Sequence, residues 1–162
     1  MNRKLILMLL LGISFNVVAQ ENTIETVPVV TQEEVYVDEA TVQVKYKQAL
    51  NAHRKKSYKK SVKIFNDLLA DYPQSKLAGN FQYWIGEALF LSKNYSGAID
   101  AFSKVFNYEK CYKLDDAQYM LGKVNYQKGD SQQALIELET LLMKYPDSEY
   151  ALKANKLITR IK

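Results

Sequence analysis

From about residue 38 to the end of the chain, apolar positions recur in steps of three and four, the spacing that places side chains on one face of an α-helix. Val42, Tyr46, Ala49, Leu50 and His53 outline such a face in a first helix. A second, opening near Ser57, carries Val62, Phe65, Leu68 and Leu69 and stops before Pro73. The same plan predicts helices over about 75–92, 94–108, 114–128 and 130–145, and a seventh over about 148–161. Lys55-Lys56, Lys93-Asn94 and Lys128-Gly129-Asp130 break the pattern within each pair, and Ser57, Asn94 and Asp130 are suited to cap the helices that follow.

These segments are copies of one another. Tyr58-Lys59-Lys60-Ser61, Tyr95-Ser96-Gly97-Ala98 and Ser131-Gln132-Gln133-Ala134 align at spacings of 37 and 36 residues. Phe65, Phe102 and Leu138 follow each small residue by four positions, and Tyr46, Tyr83 and Tyr119 precede it by fifteen. A period of this length marks a solenoid, whose units bury their apolar faces only against neighbours. The repeats are predicted at about 42–74, 79–111 and 115–147. Tyr72-Pro73-Gln74-Ser75 and Tyr145-Pro146-Asp147-Ser148 mark equivalent exits from the first and third pairs. The second pair ends instead on Tyr108-Glu109-Lys110-Cys111-Tyr112, which predicts the most irregular junction there. In the final helix Ala151, Ala154, Leu157 or Ile158, and Ile161 share one side, with Lys153, Lys156 and Arg160 on the other as a solvating cap.

The pattern resembles the tetratricopeptide repeat. Ile85-Gly86 and Leu121-Gly122 match its hydrophobic-small step, and Ser61, Ala98 and Ala134 its small residue in the second helix. The fold so implied is all-α: a solenoid of three helix-turn-helix repeats with a C-terminal capping helix. The string Tyr83-Trp84-Ile85-Gly86-Glu87, with the two Tyr-Pro-x-Ser exits and an export signal, is similar to the C-terminal domain of the Tol-Pal-associated periplasmic cell-division coordinators. That resemblance covers about residues 41–162. Those coordinators usually carry a coiled-coil segment ahead of the repeats, for which residues 20–40 offer no heptad pattern. Outer-membrane assembly lipoproteins with similar repeats are the alternative relatives, although no cysteine follows the apolar N-terminal run to carry a lipid.

Arg3 and Lys4, the apolar run 5–13, and the small residues Val17 and Ala19 form the pattern of an export signal cleaved after Ala19. The run is too short for a membrane span, which takes about 20 residues, so no transmembrane segment is expected after cleavage and the predicted location is the periplasm. Residues 20–40 hold six acids and no base, which predicts an acidic, disordered tether over 20–38. Residues 41–162 hold 20 bases against 12 acids, within a net charge of +4 for the 162-residue chain.

The resemblance places the first helix of each pair on the concave surface, where Tyr46, Tyr83 and Tyr119 form one row. His53, Phe90 and Tyr126, seven residues on, form a second. Glu87 and Lys123 lie between them and are polar where a pure core would be apolar. Such a surface suits an extended or helical peptide of a protein partner; the same rings would also serve to pack helix on helix. Trp84 points elsewhere and reads as packing between pairs. Arg54, Lys55, Lys56, Lys59, Lys60 and Lys63 form a basic patch open to an acidic partner, to anionic lipid, or simply to solvent; export argues against nucleic acid. His53 and Cys111, each the sole residue of its kind, lack the companions of a zinc site or a nucleophilic centre, and no phosphate-binding glycine loop occurs. Asp115-Asp116 reads as a helix start. No metal, cofactor or catalytic role is predicted. The function implied is an exported adaptor of the cell envelope, in division coordination or, alternatively, in outer-membrane protein assembly or self-association.

Overall fold

The computed structural model describes residues 39–108 and 111–162. The predicted signal and tether lie outside the described residues. Those described form seven α-helices and no strand: α1 (Glu39–Arg54), α2 (Tyr58–Asp71), α3 (Ala78–Leu91), α4 (Tyr95–Val105), α5 (Leu114–Lys128), α6 (Ser131–Lys144) and α7 (Ala151–Ile161). Each packs on the next along the chain, giving three antiparallel pairs and a closing helix.

The three turns inside the pairs are one structure used three times. Lys56, Lys93 and Gly129 have φ values of 57°, 63° and 93°. Their amides reach back to the carbonyls of His53, Phe90 and Tyr126 at 2.8, 2.9 and 3.1 Å, and the next residue's amide to Ala52, Leu89 and Asn125 at 2.9 Å each. This is the Schellman C-cap, whose left-handed residue glycine adopts freely and a lysine does not. Lys93→Gly is therefore expected to gain about 0.5–1 kcal/mol, less than the full strain because glycine also loosens the unfolded chain. Urea melts of parent and variant measure it, and no gain would show that Lys93 is unstrained. Asn94 and Asp130 cap as expected, accepting from the amides of Gly97 and Gln133 at 3.1 and 3.0 Å. Ser57 does not: its exposed, shorter side chain makes no capping bond to α2.

The exits repeat as well. Ser75 and Ser148 each fold their hydroxyl onto the amide two residues on, accepting at 3.2 and 3.1 Å, which holds the chain in a turn and delays α3 and α7 to Ala78 and Ala151. Cys111 stands at the equivalent place in the middle junction. Its amide donates to the Tyr108 carbonyl at 3.0 Å, as Ser75 and Ser148 donate to Tyr72 and Tyr145, and its Sγ accepts from the Lys113 amide at 3.4 Å. Residues 109 and 110 of this junction lie outside the described residues; at Cys111 the turn follows the pattern of the other two exits, with a thiol in place of the hydroxyl.

Three clusters form the core. Val42, Ala49, Phe65, Leu68 and Phe81 join the first pair to α3. Tyr83, Phe102, Val105, Met120, Leu121 and Val124 join the second pair to α5. Leu138, Leu141, Ala154 and Leu157 seat α7 on α6. Between paired helices, large residues stand over small ones: a Cβ on Gly86 would lie 2.8 Å from Phe102, and one on Gly122 2.6 Å from Leu138.

Candidate concave interaction surface

Side-chain contacts that skip a helix run between the first members of successive pairs. Trp84 Nε1 on α3 donates to the Tyr46 hydroxyl on α1 at 2.9 Å, His53 Nε2 lies 3.9 Å from Glu87 Oε2, and Lys123 Nζ on α5 stands 5.2 Å from the centre of the Phe90 ring on α3. The first helices thus touch one another along one face of the array, and α7 continues the row beside α5.

The eight residues predicted for this surface divide into three groups. Tyr83 does not belong to an open row. It is 6% exposed, with its ring 5.5 Å from Phe102 and 5.6 Å from Trp84. Burial, then the Glu87 charge, pushes its phenol far above the usual range. Tyr46 is half-buried between Phe65 and Phe81 at 5.8 and 5.7 Å, its hydroxyl occupied by Trp84. Both rings pack helix on helix because neighbouring pairs close over them.

At the C-terminal end the surface is open. Tyr119, Lys123 and Tyr126 of α5 face α7 across a cleft of about 260 Å³. Tyr119 stacks on Tyr150 at 4.9 Å, and burial raises its phenol. Lys153, Lys156 and Arg160 of α7 line the same cleft, so the basic side of this helix faces the groove and is more than an outer solvating cap. Beside the cleft, the two acids at the start of α5 hold the turn that leads into α7. Asp115 accepts from the Ser148 hydroxyl at 2.7 Å; Asp116, buried, accepts from the Tyr150 hydroxyl and from Lys113 Nζ, both at 2.9 Å. This role for Asp115-Asp116 escaped sequence reasoning, since it depends on residues 33 and 34 positions away.

His53, Glu87 and Phe90 form the third group. His53 sits between Tyr58 and Trp84 at 5.5 and 5.3 Å. Its Nε2 and Glu87 Oε2 are both buried without a hydrogen bond. Burial lowers the imidazole below 6.5 and raises the carboxyl above 4.5, the direction that keeps each neutral. An acid whose folded pKa is raised contributes stability at low pH and loses it as pH rises through the folded value; a base whose pKa is lowered loses its contribution as pH falls through 6.5. Glu87→Gln, whose amide stays neutral and can donate to His53, is expected to exceed the parent by about 1 kcal/mol at pH 8. The advantage should shrink as pH falls through the Glu87 titration, the His53 effect being common to both proteins. Thermal melts at pH 5 and 8 measure this, and a pH-independent difference would exclude it.

The predicted basic patch spans the end of α1, the turn that follows it and the first turns of α2. Lys56, Lys59, Lys60 and Lys63 edge a shallow hollow with Tyr58 and Ser92, whereas Lys55 opens onto another on the far side of α2 and Arg54 is exposed. Lys63 pairs with Asp67 at 2.8 Å. Among the described residues no three His, Cys, Asp or Glu side chains converge as metal ligands, and no helix is long and apolar enough to cross a membrane.

Comparison with known proteins agrees with this architecture. Fifty residues are 40% identical to the cell division coordinator CpoB of Pseudomonas putida, a match covering 31% of this chain and 19% of that protein. The Yersinia enterocolitica type III secretion translocator chaperone SycD, in complex with a peptide of the translocator YopD, superposes with a TM-score of 0.66 at 18% identity, over 80% of this chain and 96% of that one. PcrH in complex with the chaperone-binding region of PopD superposes with a TM-score of 0.64 at 16% identity, over 78% and 94%. The repeats are therefore of the tetratricopeptide type and resemble those of the coordinators. A family model described as YfiO, outer membrane lipoprotein, aligns with residues 38–162, and the chain belongs to that family.

Proposed function

We propose that this protein is an exported adaptor of the bacterial envelope, acting in the periplasm without catalysis, whose inner face holds an extended or helical segment of another envelope protein. The observation that carries the reading is the half-buried, unclosed aromatic surface of Tyr119 and Tyr126 beside α7. Aromatic side chains left part-open in a concave wall give large contact area at small entropic loss. Membership of an outer-membrane lipoprotein family supports an envelope location, and the peptide complexes of SycD and PcrH support capture of a segment. The stretch shared with a division coordinator favours a role in coordinating envelope constriction over one in outer-membrane protein assembly. Tyr119, Lys123, Tyr126 and Phe90 form the binding surface in this reading, with Tyr46 and Tyr83 supporting it from the core.

A photo-crosslinking amino acid placed at Tyr126 in cells is expected to give a discrete adduct with an envelope protein, weakened by Tyr119→Ala. The same probe at Met143, 73% exposed on α6, is expected to give none. Adducts at 143 without adducts at 126 would move the partner to the outer face and overturn the reading.

A further inference from the structure

The cleft between α5 and α7 has a chemical character that narrows what it can hold. Lys123 enters from α5, and Lys153, Lys156 and Arg160 from one face of α7 at steps of three and four; no acidic residue lines it. Its apolar surface comes from Tyr119, Tyr126 and Leu157. Among the described residues none of the four cations has an ion-pair partner within 4.0 Å. Lys123 and Lys153 instead rest their ammonium groups over the rings of Phe90 and Tyr150, at 5.2 and 4.7 Å, the π-faces standing where a carboxylate would. Five other lysines do form ion pairs, Lys45 with Asp71, Lys63 with Asp67, Lys104 with Asp100, Lys113 with Asp116 and Lys162 with Glu139, and none of these pairs lines the cleft. Glu87 acts on Lys123 from beside the cleft, but no acid lines it, so its wall is net positive and an arriving anion relieves the repulsion among its cations.

From this we infer that the cleft takes an acidic segment of a partner protein, carboxylates spaced along it to meet Lys123, Lys156 and Arg160, with apolar side chains between them set on Tyr119, Tyr126 and Leu157. Charge complementarity selects a carboxylate-bearing peptide, and the aromatic floor distinguishes it from a bare polyanion, which needs no apolar surface. The inference rests on the inner-face reading and adds the chemistry of the occupant.

The test uses the full chain and three fluorescent dodecapeptides, alternating Glu with Leu, Gln with Leu and Lys with Leu, followed by anisotropy. The Glu–Leu peptide is expected to bind, the Gln–Leu peptide at least about tenfold more weakly and the Lys–Leu peptide not at all. Raising salt from about 0.05 to 0.5 M, which shortens the Debye length from over 10 Å to under 5 Å, should weaken the Glu–Leu complex several-fold. Lys156→Glu with Arg160→Glu should remove binding, and Lys59→Glu with Lys60→Glu should leave it unchanged. All four residues are exposed, so circular dichroism is expected to match the parent; the milder Lys156→Gln with Arg160→Gln stands in if it does not. Equal binding of the Glu–Leu and Gln–Leu peptides, lost in Tyr126→Ala, would overturn the acidic specificity and keep the groove. Binding abolished by the Lys59 and Lys60 changes instead would move the site to the α1–α2 patch. Binding of anionic vesicles through Lys156 and Arg160, with no peptide bound, would replace the peptide by a lipid surface. No binding of any probe, with adducts at Tyr126 still formed in cells, would sink the inference while sparing the adaptor.

Discussion

Phe102→Ala is expected to cost about 3–5 kcal/mol and to uncouple the two halves of the solenoid. Phe102 is fully buried on α4, with its ring 5.5 Å from Tyr83 and in one cluster with Ala98, Val105, Met120, Leu121 and Val124. It fills the space that Gly86 leaves open. A glycine has no side chain to relax into the void, so the cavity persists, which places the loss in the upper part of the range for aromatic truncation. Small domains hold about 5–15 kcal/mol in total, so a large fraction of the stability goes with one ring. The melting temperature should fall on the order of 10–20 °C. Leu152→Ala, at a residue 66% exposed, should change it little. Because each repeat is stabilised by its neighbours, hydrogen exchange in the variant should accelerate across α3, α4 and α5 more than in α1 and α2. A loss below about 1.5 kcal/mol, or uniform acceleration, would mean that the repeats do not depend on this junction.

The period and the alternation of large and small residues were legible in the sequence because they are local: the 36–37-residue recurrence, Gly86 and Gly122 before the large residues Phe102 and Leu138, and the Asn94 and Asp130 caps all lie within one unit. Burial was less legible, since equivalent positions do not have equivalent neighbours. Tyr46, Tyr83 and Tyr119 share a register, yet only Tyr83 has a complete pair on each side of its own, and only Tyr119 faces the shorter closing helix; one is core and one is open for that reason. Ser57 reads like Asn94 and Asp130 but forms no cap bond. Cys111 was hidden by the opposite effect, a chemical substitution within a shared turn geometry: the spacing of 36 residues from Ser75 and 37 to Ser148 carried the signal, and the change from oxygen to sulfur masked it. The meeting of His53 with Glu87, and of Lys123 with the α7 cations, follows from how successive repeats stack, which no single repeat encodes.

A double-mutant cycle at Gly122 and Leu138 is the most direct measure of how far the large-over-small rule sets the packing. Helix propensity alone makes Gly122→Ala favourable by about 1 kcal/mol. In place, the new Cβ would sit 2.6 Å from both Cγ and Cδ2 of Leu138 and 3.4 Å from the Ala134 carbonyl. Leu138 is fully buried in a cluster with Leu141, Ala154 and Leu157, so it has nowhere to retreat. Overpacking of this kind costs about 1–3 kcal/mol, which offsets the propensity and leaves a net loss of up to about 2 kcal/mol. Leu138→Ala on its own should cost about 2–5 kcal/mol through the cavity it leaves. In the double variant the methyl introduced by Gly122→Ala would enter that cavity, the clash is gone and the propensity gain returns, so the second substitution becomes stabilising. The coupling between the two sites should therefore be about 1–3 kcal/mol, the two changes together costing less than the sum of each alone. Costs that simply add within about 0.5 kcal/mol would show that α5 and α6 adjust their separation freely. Close approach at Gly122 would then not be what places Tyr119, Lys123 and Tyr126 at the mouth of the cleft.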